Sequence, residues 1–283
     1  MFPKPIEEKS AKVRISYKVF VILALLIWLL PLGAMFMTSF RSLADINMGN
    51  FWGVPTEWMI IENYTGVFQT TPMGKFLLNS LMITIPTVIG SLSISVLAAF
   101  ALAKYRFKGN ILLFAMFIAG NFIPFQILMI PVRNMTVSLG LYDTITGLVL
   151  FHIAFQAGFC TFFLRNFIKA LPDSLMEAGR CDGAGELRIF YTIILPLIRP
   201  AVAALAVLIF TFVWNDYFWA LVLVQSDSVR PVTAGLEALK GQWTASWQMI
   251  SAGSIIAALP PVAMFFAMQK HFIAGLTLGS TKG

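Results

Sequence analysis

Residues 74–103 read GKFLLNSLMITIPTVIGSLSISVLAAFALA, a run with one charge, Lys75, close to its start. A helix crosses a hydrocarbon core of about 30 Å with about 20 residues, each rising about 1.5 Å. Lipid offers no water to an open backbone, so a run this long must satisfy its own hydrogen bonds as a helix. Barrel strands are about ten residues long and alternate polar with apolar. This stretch does neither, and its reading decides the fold class. Ser91, Ser95 and Ala99 recur every four residues along it and form a face small enough for another helix to approach closely.

Working outward, comparable runs occupy residues 17–38, 111–132, 142–164, 200–225 and 249–274. With residues 74–103 they predict an all-α membrane protein of six transmembrane helices, with residues 1–283 as a single transmembrane domain. Pro31, Pro86, Pro124, Pro131 and the pair Pro260 and Pro261 fall within or at the ends of these spans, where kinks are expected. Gly253 and Ala257 repeat the small-residue spacing in the sixth span. The composition agrees: 58% apolar residues, 12% charged, 26 Phe and a mean hydropathy of +0.82 exceed what one soluble core can enclose.

A net charge of +7 invites a nucleic-acid reading, but in a membrane chain Lys and Arg are first counted by side. With both termini in the cytoplasm, the inner segments hold Lys4, Lys9, Lys12, Arg14, Lys18, Lys104, Arg106, Lys108, Arg165, Lys169, Arg180, Arg188, Arg199, Lys270 and Lys282. The outer segments keep Arg41, Lys75, Arg133, Arg230 and Lys240. That is fifteen against five, a three-to-one bias that fits six spans and needs no nucleic acid. The basic start followed by an apolar run resembles a secretory signal, yet the run continues past Pro31, as an uncleaved first anchor would. Cys160 lies in an apolar run and Cys181 in a charged loop, so no disulfide framework is implied.

Polar groups inside the spans are few. His152, with Gln156 one turn further, reads as an interhelical hydrogen-bonding pair or as part of a proton path; Asn79 reads as helix glue or as path lining. The fifth span is denser: "FTFVWNDYFWALV" brings Trp214, Asn215, Asp216 and Tyr217 together. Two readings stand. Rings at this depth suit an aromatic belt with a structural Asp, while rings beside amides and a carboxylate are what a sugar site uses. The chain contains no G-x-x-x-x-G-K-[ST] loop, no zinc-ligand spacing and no arrangement from which a hydrolase can be argued. It is therefore expected to hold no catalytic residue, metal or cofactor of its own.

Between the fourth and fifth spans, residues 165–199 form an inner loop that contains Glu177–Pro196, "EAGRCDGAGELRIFYTIILP". Pro172 suits the first turn of a short helix, Gly183 ends it, and Asp182 is placed to cap a second helix from about Ala184 until Pro196 breaks or kinks it. By periodicity alone the loop reads as an amphipathic elbow resting on membrane lipid headgroups.

The same stretch resembles the EAA loop of bacterial ABC-importer permeases. Glu177 and Ala178 match, Gly179 stands where the family usually has Ala, Gly183 has the right spacing, and Ile193, Leu195 and Pro196 complete the pattern. "AKYRFKG", "LGLYDTITGLVL", "DGA" (Asp182, Gly183 and Ala184) and "WNDYFWALVL" are similar to the carbohydrate-uptake branch; "GLTLGSTKG" is similar to the tail of the maltose-transporter permease of the MalG type. One departure is Ala157 and Gly158, where many relatives carry a proline.

The resemblance implies a type I importer permease bundle in the bacterial inner membrane, with a cytoplasmic coupling helix in residues 165–199. It implies an ATP-driven, binding-protein-dependent importer of a sugar or oligosaccharide. Its partners would be a second homologous permease, two ATP-binding cassette ATPases that hold ATP and magnesium, and an extracytoplasmic sugar-binding protein. Glu177, Ala178, Gly179, Asp182, Gly183, Ala184, Ile193, Leu195 and Pro196 would couple to an ATPase, and the tail residues Gly279, Lys282 and Gly283 would reach the same interface. Asn79, His152, Trp214, Asn215, Asp216 and Tyr217 are the candidates for the substrate path. An ion-coupled secondary transporter and a membrane-embedded enzyme are the rival classes, and neither has a use for the EAA spacing.

Overall fold

A computed structural model describes residues 9–240 and 245–277 of the chain. The elements in order are α1 (Ala11–Thr38), α2 (Leu43–Asn47), α3 (Ile60–Thr70), α4 (Met73–Lys104), α5 (Asn110–Phe122), α6 (Met129–Ser138), α7 (Ile145–Lys169), α8 (Ser174–Cys181), α9 (Glu186–Ile189), α10 (Leu195–Trp214), α11 (Phe218–Leu223), α12 (Val232–Gly235) and α13 (Trp247–Thr277). Among the described residues five helices are long and apolar enough to cross a membrane, and six if a sharply bent pair counts as one span. The contacts divide the chain into two compact units: the chain up to Thr71 with residues 238–256, and residues 72–237 with the remainder from Ala257.

In the first unit none of α1 is buried, as expected of a helix whose solvent is lipid. After it the chain folds around two buried charges. Arg41 donates to the carbonyls of Phe51 and Gly53, while Asp45 accepts from Thr56 through both its N–H (2.9 Å) and its hydroxyl (2.8 Å). The Thr56 hydrogen bonds hold the Asp45 carboxyl below its ordinary range. Asn63 in α3 donates to Ser39 O and Arg41 O, so α3 is tied to the end of α1.

In the second unit the main packing is α4 against α7, with α10 against both. The small face foreseen in the second span is used here: Ser91, Ser95 and Ala99 are completely buried, and Ser95 Oγ donates to Ala157 O at 3.2 Å. Gly158 lets α5 come closer still, since a Cβ there would lie 2.6 Å from Phe117 O.

Two expected spans differ from simple helices. The run 111–132 is split, α5 and the segment Phe125–Ser138 meeting at 93°. Pro124 has no N–H to continue the ladder and drives Ile123 into extended backbone (ψ 121°). The run 200–225 begins earlier and ends sooner, for the helix is continuous over Glu186–Trp214 and breaks at residues 215–217. There Asn215 Nδ2 donates to Thr211 O, and the Asp216 carboxylate takes the N–H groups of Trp219 and Ala220, opening the next helix. Pro196 neither breaks nor ends the helix. Residues 190–194 form a turn of π-helix, with Leu195 N reaching back to Phe190 O, which accommodates the missing donor one residue later.

Candidate functional site

The second unit carries two features built from the residues singled out above. The first lies between α7 and α10. α8 is an amphipathic helix with Met176 and Gly179 buried and Glu177, Ala178 and Arg180 exposed. Its underside is close-fitting: a Cβ on Gly179 would lie 3.0 Å from Ile193 Cδ1 and 3.1 Å from Ile189 Cγ1. Gly183 ends the helix with φ +77°, a conformation that costs an L side chain about 1–2 kcal/mol. Ala184 N closes back on Gly179 O at 3.0 Å. Asp182 does not cap the next helix, which starts at Glu186 with Gly185 at its N-cap. The Gly183 turn leaves Asp182 exposed, at the C-cap of α8.

Both ends of α8 are anchored. Lys104, at the end of α4 and 3% exposed along its side chain, donates to Leu171 O (2.6 Å) and Asp173 Oδ1 (2.7 Å). That hydrogen bond and the Lys104 charge hold the Asp173 carboxyl below its usual range. Arg180 makes a two-point contact with Glu186 (2.7 and 3.2 Å), and Tyr105 donates to the same carboxylate. Burial, then the Glu186 bond, push the Tyr105 hydroxyl up to about 12. Ile193, Leu195 and Pro196 are partly buried in the helix that rises from this anchor, with Ala184 half-buried at its foot.

The second feature is a cavity of about 680 Å³ between α5, α7 and the break after α10. His152 and Asp216 meet there, Nε2 to Oδ2 at 3.6 Å, both largely buried. Among the described residues His152 Nδ1 is buried without a hydrogen-bond partner. Asn121, Gln156 and Asn215 add amides, and Phe155, Phe159, Phe212, Tyr217, Phe218 and Trp219 add rings. The wall is braced from outside, because Tyr217 OH donates to Glu237 and Thr233 donates to Asp216 O.

Of the six path candidates, the structure brings His152, Asn215, Asp216 and Tyr217 to this cavity. Trp214 is elsewhere: it is 1% exposed, stacked on Phe210 at 5.6 Å, and donates Nε1 to Ala257 O at 2.9 Å. Asn79 is also buried outside it, donating to Ser228 O (3.1 Å) and Arg230 O (2.9 Å) and so holding the segment after α11. Asp143, with φ +57°, grips the same segment through Gln225 N and Ser226 N. Gly279, Lys282 and Gly283 lie outside the described residues. Asn121 was legible as a polar residue in an apolar run, by the criterion that selected Asn79; the lining Phe residues carry no mark that separates them from lipid-facing ones.

A family model described as "Binding-protein-dependent transport system inner membrane component" matches residues 91–277. The chain is 37% identical over 262 residues to the osmoprotective compounds uptake permease protein GgtD of Synechocystis sp., covering 90% of this chain and 88% of that one. It is 30% identical over 272 residues to the arabinooligosaccharides transport system permease protein AraQ of Bacillus subtilis, covering 95% and 96%. In fold it resembles a chain of a solved bacterial ABC transporter involved in the import of the acidic polysaccharide alginate, with a TM-score of 0.78 and 24% identity over 96% of this chain and 100% of that one.

Proposed function

The chain belongs to the binding-protein-dependent transport system inner membrane components, and on that premise we propose that it forms half of the translocation path of an ATP-driven importer of sugars or oligosaccharides. It is a multi-pass transport subunit of the bacterial inner membrane and not an enzyme. A second, homologous permease completes the path, two cassette ATPases hydrolyse ATP with magnesium, and an extracytoplasmic binding protein delivers the solute. The name of the arabinooligosaccharide permease among its relatives supports a sugar-type cargo. On this reading residues 1–283 act as one permease domain, with both termini and the loop 165–199 in the cytoplasm.

The observation that carries the proposal is the way α8 is mounted. Its exposed face offers Glu177 and Ala178, while its buried face and both ends are fixed to α4 and to the foot of the helix Glu186–Trp214. That helix ends at Asn215 and Asp216 in the cavity wall. A force applied to α8 by an ATPase therefore has a stiff route to the cavity, which is what a switch between inward- and outward-facing states requires. Glu177, Ala178 and Asp182 are the groups offered to the ATPase; Gly179, Gly183, Ala184, Ile193, Leu195 and Pro196 shape the lever. His152, Asn215, Asp216 and Tyr217 line the path.

The test is ATP-driven uptake by the intact complex carrying Glu177→Lys or Gly183→Pro. Both variants should insert and co-purify with the second permease while uptake and solute-stimulated ATPase activity fall at least about tenfold. Undiminished uptake at normal expression would sink the coupling role. Uptake that persists without ATP and follows an ion gradient would favour the secondary-transporter class instead.

A further inference from the structure

We infer that the cavity between α5, α7 and the α10–α11 break admits uncharged polyhydroxy solutes and turns away acidic sugars. The inference rests on the transport reading above and adds a charge rule to it. Two side chains that can carry a full charge, His152 and Asp216, line the cavity, and among the described residues no Lys or Arg does. They are paired at 3.6 Å. With the imidazole protonated the pair sums to zero, and with it neutral the pair carries one negative charge. In neither state does an incoming carboxylate meet a net positive wall.

The carboxylate of Asp216 is also fixed in place, since its oxygens accept the N–H groups of Trp219 and Ala220. It cannot swing away to make room for a second anion without uncapping α11. A buried anion with no cation is far more costly than a buried hydroxyl that finds a partner. Hydroxyls, by contrast, find partners of both kinds. Asn121 and Asn215 each spend one N–H on the carbonyl four residues earlier, leaving a donor and an acceptor, and Gln156 brings a third amide. The orphaned Nδ1 of His152 is donor or acceptor according to tautomer, and a hydroxyl can serve either. The intervening rings suit the apolar faces of a sugar. Arg133, the cation of an adjoining cavity, is not in this lining; it lies over the Tyr142 ring at 5.2 Å, and Phe218 forms part of both walls.

The experiment uses the assembled complex in lipid nanodiscs without its binding protein, so that the binding protein's own preference does not enter. Equilibrium binding is measured with radiolabelled maltotriose, raffinose and arabinotriose as neutral probes and with trigalacturonate as the acidic one. At least one neutral probe should bind, and the uronate should bind at least about tenfold more weakly. Asp216→Asn should narrow that gap. Asn121→Arg, which adds a cation to the lining and leaves the α11 cap untouched, should raise uronate binding even if Asp216→Asn fails to fold. Uronate bound as tightly as the neutral probes, or discrimination unchanged in a folded variant, overturns the charge rule while leaving the transport reading intact. Binding of neither class overturns the charge rule; if ATP-driven uptake of both classes is also absent, the transport reading falls with it.

Discussion

Gly179 in α8 lies directly over Ile193 in the π-turn, close enough that a Cβ would sit 3.0 Å from the Ile193 Cδ1 atom. Helix α8 and the foot of the long helix thus touch through a position that has no side chain. Alanine there gains up to about 1 kcal/mol of helix propensity but must push two isoleucine side chains aside by a few tenths of an ångström. Gly179→Ala should therefore change the melting temperature of the purified complex little. Gly179→Val overpacks the contact by about 1–3 kcal/mol and should lower both melting temperature and uptake. A neutral valine variant would show that the contact is looser than this geometry.

Trp214 belongs to packing, so its replacement should be read in stability. Lipid tails are as apolar as the interior, which removes much of the transfer cost of a large-to-small change and leaves the void and the lost bond to Ala257 O. Trp214→Ala should destabilise by about 2–3 kcal/mol in a detergent-unfolding series. Trp214→Phe, which keeps the stack on Phe210, should cost about 1 kcal/mol and spare sugar binding. Loss of binding at full stability would return Trp214 to the path.

Asn79 bridges two carbonyls of the segment after α11, Ser228 O and Arg230 O, and Ser80 Oγ accepts Val232 N beside it. Asn79→Ala leaves two carbonyls bare and should cost about 1–3 kcal/mol. Hydrogen exchange should rise in residues 225–235, with α7 unchanged. Equal protection in the variant would mean that the segment is held by other bonds.

Asp143 gives that segment a pH dependence. Burial raises its carboxyl, but the N–H groups of Ser226 and Gln225, the Ser226 hydroxyl and the Arg230 charge outweigh it, and the net shift is downward. A carboxyl whose pKa is lower folded than unfolded contributes its full stabilisation above the unfolded value of about 3.9 and loses it as pH falls through the folded value. Proteolytic nicking within residues 224–230 should therefore accelerate as pH drops below about 4. Asp143→Asn should remove that step. A step that survives in Asp143→Asn belongs to another acid.

The long helices were legible because a lipid solvent demands length and apolarity, and both are written residue by residue in runs such as 74–103 and 142–164. The glycine turn at Gly183 was legible for the same kind of reason, since few residues tolerate φ +77°. The ends of the fifth run were hidden: nothing in the apolar pattern says that Asp216 will cap α11 or that the helix reaches down to Glu186 through a π-turn. The cavity was half visible. Its polar members stand out against an apolar background, but whether a polar residue lines a space or ties a loop, as Asn79 does, depends on what packs beside it. The anchors Lys104, Tyr105 and Asp143 lie at helix margins, where charged and polar residues are ordinary.

The π-turn over Phe190–Ile194 inserts one extra residue into an otherwise continuous helix. The residues before it, from Glu186 on, are thereby out of phase, by about 100°, with the face that an unbroken α-helix would present. Deleting a single residue there would relax the turn to ordinary α-helix and keep that phase, since the Leu195 N–H and the Phe190 carbonyl would then stand four residues apart. Closing the turn with every residue kept would be rotational in its cost: Ile189 would turn away from Gly179, and Glu186 from Arg180. The phase of the helix, more than its composition, thus aims the surface on which α8 rests.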